Sequence, residues 1–316
     1  MKNLKIIWSV RSECGPEREK NEDAVYPEIG GNNTLPFKAA VCDGLGGHAK
    51  GEVASKIATS TMENAENNIK KIIQDANNKI TEYQETNLDS KGMGTTMTGI
   101  IIDENGLMEI GHVGDSRCYI FSDNKLYRIT KDHSYVQTLV DKGEISDAEM
   151  ESHPRKNELT KALGISDSIE VEVVPDPIKA KKSDKFLLCS DGLTGLVTDK
   201  TIAKTIRDNS DLNSCVNKLI KLAEDGGGHD NISTDLIEVA ESEHKTSSFV
   251  SKNNPSFNQT QTQDGIKEKS PSFSYTKVFL LSVIILKERV GLKTWIAVFV
   301  GFLGVGRGNI KFSFFC

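Results

Sequence analysis

This sequence of 316 residues lacks long apolar runs, basic charge and paired cysteines. No stretch reaches the roughly 20 apolar residues of a membrane-spanning helix. The opening MKNLKIIWSV has too short an apolar stretch for a secretory signal, so we expect a cytoplasmic protein. The 39 Lys and Arg against 45 Asp and Glu leave a net charge of −6, which argues against a nucleic-acid partner. Six scattered cysteines form no CxxC pair and indicate reduced thiols.

Composition divides the chain into three regions. Residues 1–240 alternate apolar runs with Gly, Asp and Asn and should form the folded body. Residues 241–276 are rich in Ser, Thr, Asn and Gln, which predicts a flexible polar linker. Residues 277–316 form an apolar tail, in which residues 278–316 carry five Lys and Arg against one Glu. Its segment LSVIILKERVGLKTWIAVFVGFLGV resembles the end of an EamA-type drug/metabolite transporter, and the tail is interpreted either as a membrane-seeking anchor or as an accident of gene fusion.

The patterning of the body indicates an α+β fold. Residues 51–86 carry apolar side chains at helical spacing without Pro, which predicts one long amphipathic helix. After Gly94, short β-branched and aromatic runs alternate with turn dipeptides such as ENG and SDN, as in an antiparallel meander. KFLLCS and ISTDLIEV add two strands, and DLNSCVNKLIKLAED adds a helix. Strands segregated from helices favour a sheet sandwich covered by helices.

Aspartates stand at glycine-rich ends of four of these apolar strands: Asp43, Asp115, Asp191 and Asp230. One such Asp-Gly pair is most simply a turn, because Asp accepts backbone hydrogen bonds and Gly supplies positive φ. Four carboxylates gathered at one edge would repel one another and would need a cation. Hard divalent ions such as Mg²⁺ and Mn²⁺ prefer oxygen ligands. Two such ions activate water for attack on phosphorus, which suggests a phosphatase.

Seven motifs occur in the order typical of one family. They are GPEREKNEDA, DGLGGHAKGEVAS, MGTTMTGIII, GHVGDSRCYIF, LYRITKDHS, LLCSDGL and GGHDNIST. The sequence thus resembles the metal-dependent protein phosphatases, the type 2C serine/threonine family, in its bacterial form. The resemblance implies a four-layer sandwich of two central antiparallel β-sheets flanked by helices. It also implies hydrolysis of phosphoserine and phosphothreonine in proteins, which reverses the action of a partner kinase. The cofactors that it implies are two Mn²⁺ or Mg²⁺ ions and a third ion that binds more weakly.

The resemblance also implies roles for individual residues. Asp43 would bridge both metal ions, with the carbonyl of Gly44 and the carboxylate of Glu22 on one of them. Asp23 would order water at that ion. The ligands of the other ion would be Asp191 and Asp230, and Asp115 and Asp191 would hold the third ion. Asn231 would support the ligands without binding a metal ion itself.

Arg18 lies in the GxxRxxNED spacing of bacterial members, which implies that it binds the substrate phosphate. A guanidinium suits this role because its fork matches two phosphate oxygens. His48 occupies a different position from the catalytic histidine of animal members, which corresponds here to Leu45. We therefore expect His48 to support the structure or the ligands, and the general acid stays unassigned.

Three functions remain open at this point. An active phosphoprotein phosphatase is favoured because every expected metal ligand is present. A catalytically weak phosphoprotein-binding module of the same fold is the main alternative, and a small-molecule phosphatase is a third. A cysteine-based phosphatase is disfavoured, because no cysteine opens a phosphate-binding loop and Cys42, Cys118 and Cys189 lie in apolar strands.

Overall fold

The structure is a computed structural model that describes residues 4–46, 50–150 and 152–241. Its strands are β1 (Leu4–Glu13), β2 (Ala24–Tyr26), β3 (Gly31–Thr34), β4 (Phe37–Cys42), β5 (Gly44–Leu45), β6 (Gly94–Thr95), β7 (Met97–Ile102), β8 (Leu107–Val113), β9 (Arg117–Ser122), β10 (Lys125–Arg128), β11 (Glu172–Val173), β12 (Ile178–Lys179), β13 (Lys185–Cys189) and β14 (Ile232–Glu241). Its helices are α1 (Gly51–Asn64), α2 (Ile69–Thr86), α3 (Tyr135–Asp141), α4 (Asp147–Met150), α5 (Asp191–Thr194), α6 (Asp199–Asp208) and α7 (Leu212–Asp225). Among these residues, no helix is both long and apolar enough to cross a membrane.

Two antiparallel sheets form the centre of the body. The first has the strand order β10-β9-β13-β14-β1-β3, and the second has the order β11-β8-β7-β4-β2, with β12 also paired to β8. The short strands β5 and β6 pair separately. Within the described ranges every strand pairing is antiparallel. The strands predicted after Gly94 are present, but they form two hairpins, β7–β8 in the second sheet and β9–β10 in the first, so the prediction of one continuous meander is wrong.

Three apolar clusters separate four layers. One lies between the sheets and includes Ile6, Val41, Ile100 and Phe186. A second joins α1 and α2 to the outer face of the second sheet, and a third joins α6 and α7 to the outer face of the first. The order helix–sheet–sheet–helix confirms the predicted four-layer α+β sandwich.

The single long helix predicted over residues 51–86 is wrong. The chain leaves the helix after Asn64, with Ala65 in an extended conformation, and starts again as α2. Asn68 caps α2 by accepting a hydrogen bond from the Lys71 backbone N–H. Asparagine favours such capping over a helix interior because its side chain competes for backbone groups. The two helices instead pack beside each other in one layer.

Strand register brings the aspartate-bearing turns together. Ala24 of β2 pairs with Cys42 of β4, so the residues before β2 lie beside the end of β4. Cys189 of β13 pairs with Thr234 of β14, so the end of β13 meets the start of β14. Because each of these junctions carries an acidic residue, the carboxylates of both sheets gather at one edge of the sandwich.

Candidate active site

Six predicted acidic residues lie at this edge. Asp43 follows β4, Asp115 lies in the turn between β8 and β9, Asp191 begins α5, Asp230 precedes β14, and Glu22 and Asp23 precede β2. Asp43 is within electrostatic range of Asp23, Asp115, Asp191 and Asp230. The structure therefore brings together the residues that the sequence predicted as one cluster.

The backbone of Asp43 is fixed on both sides by threonines. Its N–H donates to Thr96 Oγ1 at 2.9 Å, and its carbonyl accepts from Thr96 N at 2.8 Å and from Thr95 Oγ1 at 2.9 Å. Thr96 Oγ1 also lies 2.7 Å from Ser116 Oγ, next to Asp115 in the chain. These bonds tie the position of Asp43 to the turn that carries Asp115.

Gly44 is required by close backbone packing. A Cβ at this position would lie 2.4 Å from Gly51 O and 2.5 Å from Glu22 O. The Gly44 N–H donates to Glu22 O at 3.1 Å, and Ser55 Oγ of α1 donates to the same carbonyl at 2.6 Å. Glycine at position 44 thus holds Glu22 beside Asp43.

Burial and mutual repulsion raise the pKa values of these carboxyl groups. The pKa of Asp43 is raised well above its ordinary value by burial, then by Asp23 and Asp191. Burial and Asp191 likewise raise the pKa of Asp115, and burial and Asp230 raise that of Asp191. Burial also raises the pKa of Glu22, although Lys20 partly offsets it. Carboxylates held in this way are stabilised in their charged form by a nearby cation.

Three buried carboxylate oxygens at the site have no hydrogen-bond partner: Glu22 Oε1, Asp23 Oδ1 and Asp191 Oδ1. A buried, unpaired acceptor is costly, and a hard cation would satisfy it. In the described part of the chain, no three acidic, His or Cys side chains are arranged to hold one ion by themselves. Mg²⁺ characteristically keeps several waters and takes only one or two carboxylates, so the donor set fits a hydrated divalent ion.

Arg18 reaches the cluster from the segment before β2. Its Nη2 lies 2.7 Å from Asp230 Oδ2, and its Nε donates to the carbonyl of His229 at 3.3 Å. The side chain is 44% exposed, so the guanidinium borders solvent as well as the acidic cluster. The sequence placed Arg18 at the substrate phosphate but gave no sign of its pairing with Asp230.

A serine network behind the ligands was missed by the sequence analysis. Ser190 Oγ donates to Asp23 Oδ2 at 2.8 Å and accepts from the Ser233 backbone N–H at 3.0 Å. Ser233 Oγ in turn donates to Ser12 Oγ at 2.8 Å. Asp23 is buried, and this burial raises its pKa to about 7, although Ser233 and Ser190 lower it. Short polar side chains at the ends of β1, β13 and β14 were the only signal.

Asn231 supports Glu22 through the backbone. With its amide oriented to match its neighbours, its side chain accepts from Glu22 N at 2.8 Å and donates to Lys20 O at 3.3 Å. This position agrees with a supporting residue beside the cluster. His48 lies outside the described residues.

Two other histidines are buried near the turn of Asp115. His112 and His133 stack with ring centroids 4.7 Å apart. His133 Nδ1 accepts from the Gly114 backbone N–H at 3.1 Å, and His112 Nδ1 lies 2.8 Å from Thr98 Oγ1. His112 is a buried residue of β8. His133 fixes the turn that carries Asp115 through its contact with Gly114.

The strand cysteines are buried as predicted. Cys42, Cys118 and Cys189 are fully inaccessible, and burial raises the pKa of the Cys189 thiol to about 12. The other two thiols have raised pKa values for the same reason. Thiols of this kind are poor nucleophiles.

A family model described as protein phosphatase 2C matches residues 16–236. The chain therefore belongs to the protein phosphatase 2C family. The match ends before the tail, so the transporter resemblance of residues 277–316 stays a prediction.

Individual relatives agree with this assignment. The serine/threonine phosphatase stp of Listeria monocytogenes is 37% identical over 243 residues, covering 72% of this chain and 94% of that protein. The serine/threonine protein phosphatase PstP of Mycobacterium tuberculosis is 36% identical over 75% of this chain, which spans only 46% of PstP. The PstP catalytic domain with two manganese ions has a TM-score of 0.66 at 33% identity, covering 75% of this chain and 99% of the other.

Proposed function

We propose that residues 1–240 form a metal-dependent protein serine/threonine phosphatase. The observation that carries this proposal is the convergence of six acidic residues at one edge, with buried oxygens of Glu22, Asp23 and Asp191 left without partners. Membership of the protein phosphatase 2C family supports it. The proposed substrates are phosphoserine and phosphothreonine in proteins, and the proposed partners are those proteins and their kinase.

The acidic residues are proposed as ligands of two closely spaced metal ions and of a third, weaker one. Asp43 would bridge two Mn²⁺ or Mg²⁺ ions, with Glu22 and the Gly44 carbonyl on one side and Asp191 and Asp230 on the other. Asp115 and Asp191 would hold a weaker third ion. Bound together, two such ions lower the pKa of water and neutralise charge on phosphoryl oxygens.

The remaining residues are proposed to orient the substrate and water and to support the metal ligands. Arg18 is proposed to bind the phosphoryl oxygens, because its planar fork matches them and its side chain borders solvent at the site. Asp23, fixed by Ser190, is proposed to orient water near Glu22. Asn231 would keep the Glu22 backbone in place, and His48 is proposed as a further supporting residue rather than a catalytic one.

The linker of residues 241–276 and the tail of residues 277–316 are proposed as regions outside the phosphatase unit. They lie almost entirely beyond the described residues. Membrane contact through the cationic apolar tail remains a proposal, as does a cytoplasmic location.

The main alternative is a phosphoprotein-binding module that has lost turnover. No specific observation favours it, since every proposed ligand side chain is present at the shared edge.

The test is phosphate release from a phosphothreonine peptide by the full chain with Mn²⁺, with Mg²⁺ and with excess chelator. We expect release with either metal and none with chelator. Peptide binding without release in any metal would support the binding module instead.

A further inference from the structure

A small cavity lies beside the acidic cluster on the side of Asp115. Its volume is about 70 Å³, and its lining includes Asp115, Asp191, Arg117, Lys156 and Asn157. A cavity of this size holds a few waters or one carboxylate-sized group. Arg18 approaches the cluster from the side of Asp230. Arg18, the residue proposed to bind the reacting phosphate, does not line this cavity.

The inner wall of the cavity carries the guanidinium of Arg117 beside the carboxylates of Asp115, Asp132 and Asp191. Arg117 donates to Asp132 Oδ2 at 2.7 Å, and Arg128 Nη2 lies 2.5 Å from Asp132 Oδ1. The single carboxylate of Asp132 thus forms ion pairs with two guanidinium groups, and its one negative charge cannot neutralise both. The other two acidic residues of the wall, Asp115 and Asp191, are proposed metal ligands, so bound cations would compensate their charge.

Lys156 supplies a second positive charge at the outer wall. Its side chain is exposed and has no ion pair or hydrogen bond among the residues that the structure describes. Its neighbour Arg155, in contrast, is engaged by Glu158 at 2.5 Å and lies 3.6 Å from the centroid of the Tyr135 ring. The amine of Lys156 is therefore available to a ligand.

The backbone around Lys156 is held in place. Its N–H donates to His153 O at 3.1 Å, and Tyr135 N donates to Glu158 O at 2.7 Å. These bonds, together with the Arg155 contact to Tyr135, anchor the segment to the start of α3. Lys156 thus approaches the cavity from a fixed support.

We propose that Lys156 binds a second anionic group of the substrate, a carboxylate or phosphate that flanks the phosphorylated residue. This inference rests on the proposed phosphatase function and adds a preference among its substrates. Arg117 contributes attraction from within the cavity, but its guanidinium is already engaged by Asp132. Lys156 is therefore the residue that sets the preference.

The test compares three sets of phosphothreonine peptides that share one parent sequence. In each set Gln, Glu or phosphoserine replaces, one position at a time, the three residues on either side of the phosphothreonine. The full-length chain and its Lys156→Met and Lys156→Glu variants are assayed for kcat/KM in Mn²⁺. Exposed ion pairs are worth up to about 1 kcal/mol, so we expect a preference of about two- to fivefold for an anionic flank in the unmodified chain. Lys156→Met should abolish this preference, and Lys156→Glu should reverse it.

Lys142→Glu is the matched control. Lys142 is exposed at the end of α3 and does not line the cavity, but the substitution changes the net charge equally. We expect this variant to keep the preference. A higher kcat/KM for the phosphoserine peptides alone would assign the site to doubly phosphorylated segments. A similar increase in kcat/KM for the Glu peptides would assign it to acidic segments.

A binding measurement separates the failure of this inference from the failure of the proposed function. Fluorescence anisotropy gives the Kd of each labelled peptide for Asp43→Asn, alone and combined with Lys156→Met. Equal kcat/KM for all peptides in the unmodified chain, with equal Kd values, would overturn the role of Lys156 and leave the phosphatase intact. No turnover with a Kd preference that Lys156→Met removes would overturn the phosphatase and keep the anion site.

Discussion

Arg18 and Asp230 form an ion pair of 2.7 Å although 212 residues separate them in sequence. The pair joins the segment before β2 to the loop before β14, one strand from each sheet. It places the proposed phosphate-binding guanidinium beside a proposed metal ligand. Arg18 would then bind the phosphate at the same edge where the metal ions act on it.

We expect Arg18→Ala to weaken substrate capture more than turnover. Hydrogen bonds to charged groups are worth about 1.5–3 kcal/mol, so KM for a phosphothreonine peptide should rise by about tenfold or more. Steady-state kinetics in Mn²⁺ measure this, and Arg18→Lys should recover only part of the loss because Lys lacks the fork. An unchanged KM with a large fall in kcat would show that Arg18 acts at another step.

We expect Asp43→Asn to remove nearly all turnover. Loss of residues that merely support metal ligands costs about 10- to 100-fold, so loss of a bridging ligand should cost at least about 100-fold in kcat. Circular dichroism should show an intact fold. The comparison variant is His48→Ala, which should lose clearly less activity than Asp43→Asn, because a supporting residue costs at most about 10- to 100-fold. An equal loss in both variants would assign His48 a direct catalytic part.

Asp235 is a buried carboxyl group away from the cluster. It lies on β14 between Val10 and Leu188, and neither side-chain oxygen has a hydrogen-bond partner. Burial raises the pKa of Asp235 well above its ordinary value. The folded chain thus keeps its proton, while the unfolded chain releases it above about pH 4, and this difference lowers the free energy of unfolding as pH rises.

We expect Asp235→Val to stabilise the fold at pH 8 by about 1–3 kcal/mol, because it removes an unsatisfied buried group. The gain should be smaller at pH 5. Urea unfolding in chelator at both pH values measures it, with the exposed Asp176→Asn as a control near zero. Destabilisation by Asp235→Val at both pH values would indicate that the carboxyl contributes favourably to the fold.

His112 should make the fold sensitive to acid. Burial, with the nearby His133, lowers the pKa of His112 to about 3. The unfolded chain binds a proton at His112 below about pH 6.5, and the folded chain does not. The free energy of unfolding therefore decreases as the pH is lowered from about 6.5 to about 3.

The expected slope from this histidine is about 1.4 kcal/mol per pH unit between pH 6 and pH 4. His112→Asn should remove that part of the slope even if its stability at pH 7 is lower. Urea unfolding of both proteins in chelator at pH 6, 5 and 4 measures the difference. Identical slopes would mean that His112 takes up a proton in the folded state.

The sequence predicted the strand ends well, because an Asp in a glycine-rich turn next to an apolar run marks both the end of the strand and the position of the carboxylate. Asp43, Asp115, Asp191 and Asp230 were located in this way. The contacts of Asp23 with Ser190 and Ser233 were not predictable, since they depend on the register of β13 against β14. The break between α1 and α2 was missed because a local cap at Asn68 overrides the apolar spacing. The cavity at Lys156 depends on tertiary packing, which no local pattern encodes.

The central claim is that the acidic cluster is a dinuclear metal centre with Asp43 as its shared ligand. The most direct measurement is isothermal titration of Mn²⁺ into the full-length chain and into Asp43→Asn. We predict two tightly bound ions per chain, and a loss of at least about 100-fold in affinity for one or both in the variant. Two ions bound with unchanged affinity by Asp43→Asn would contradict the claim.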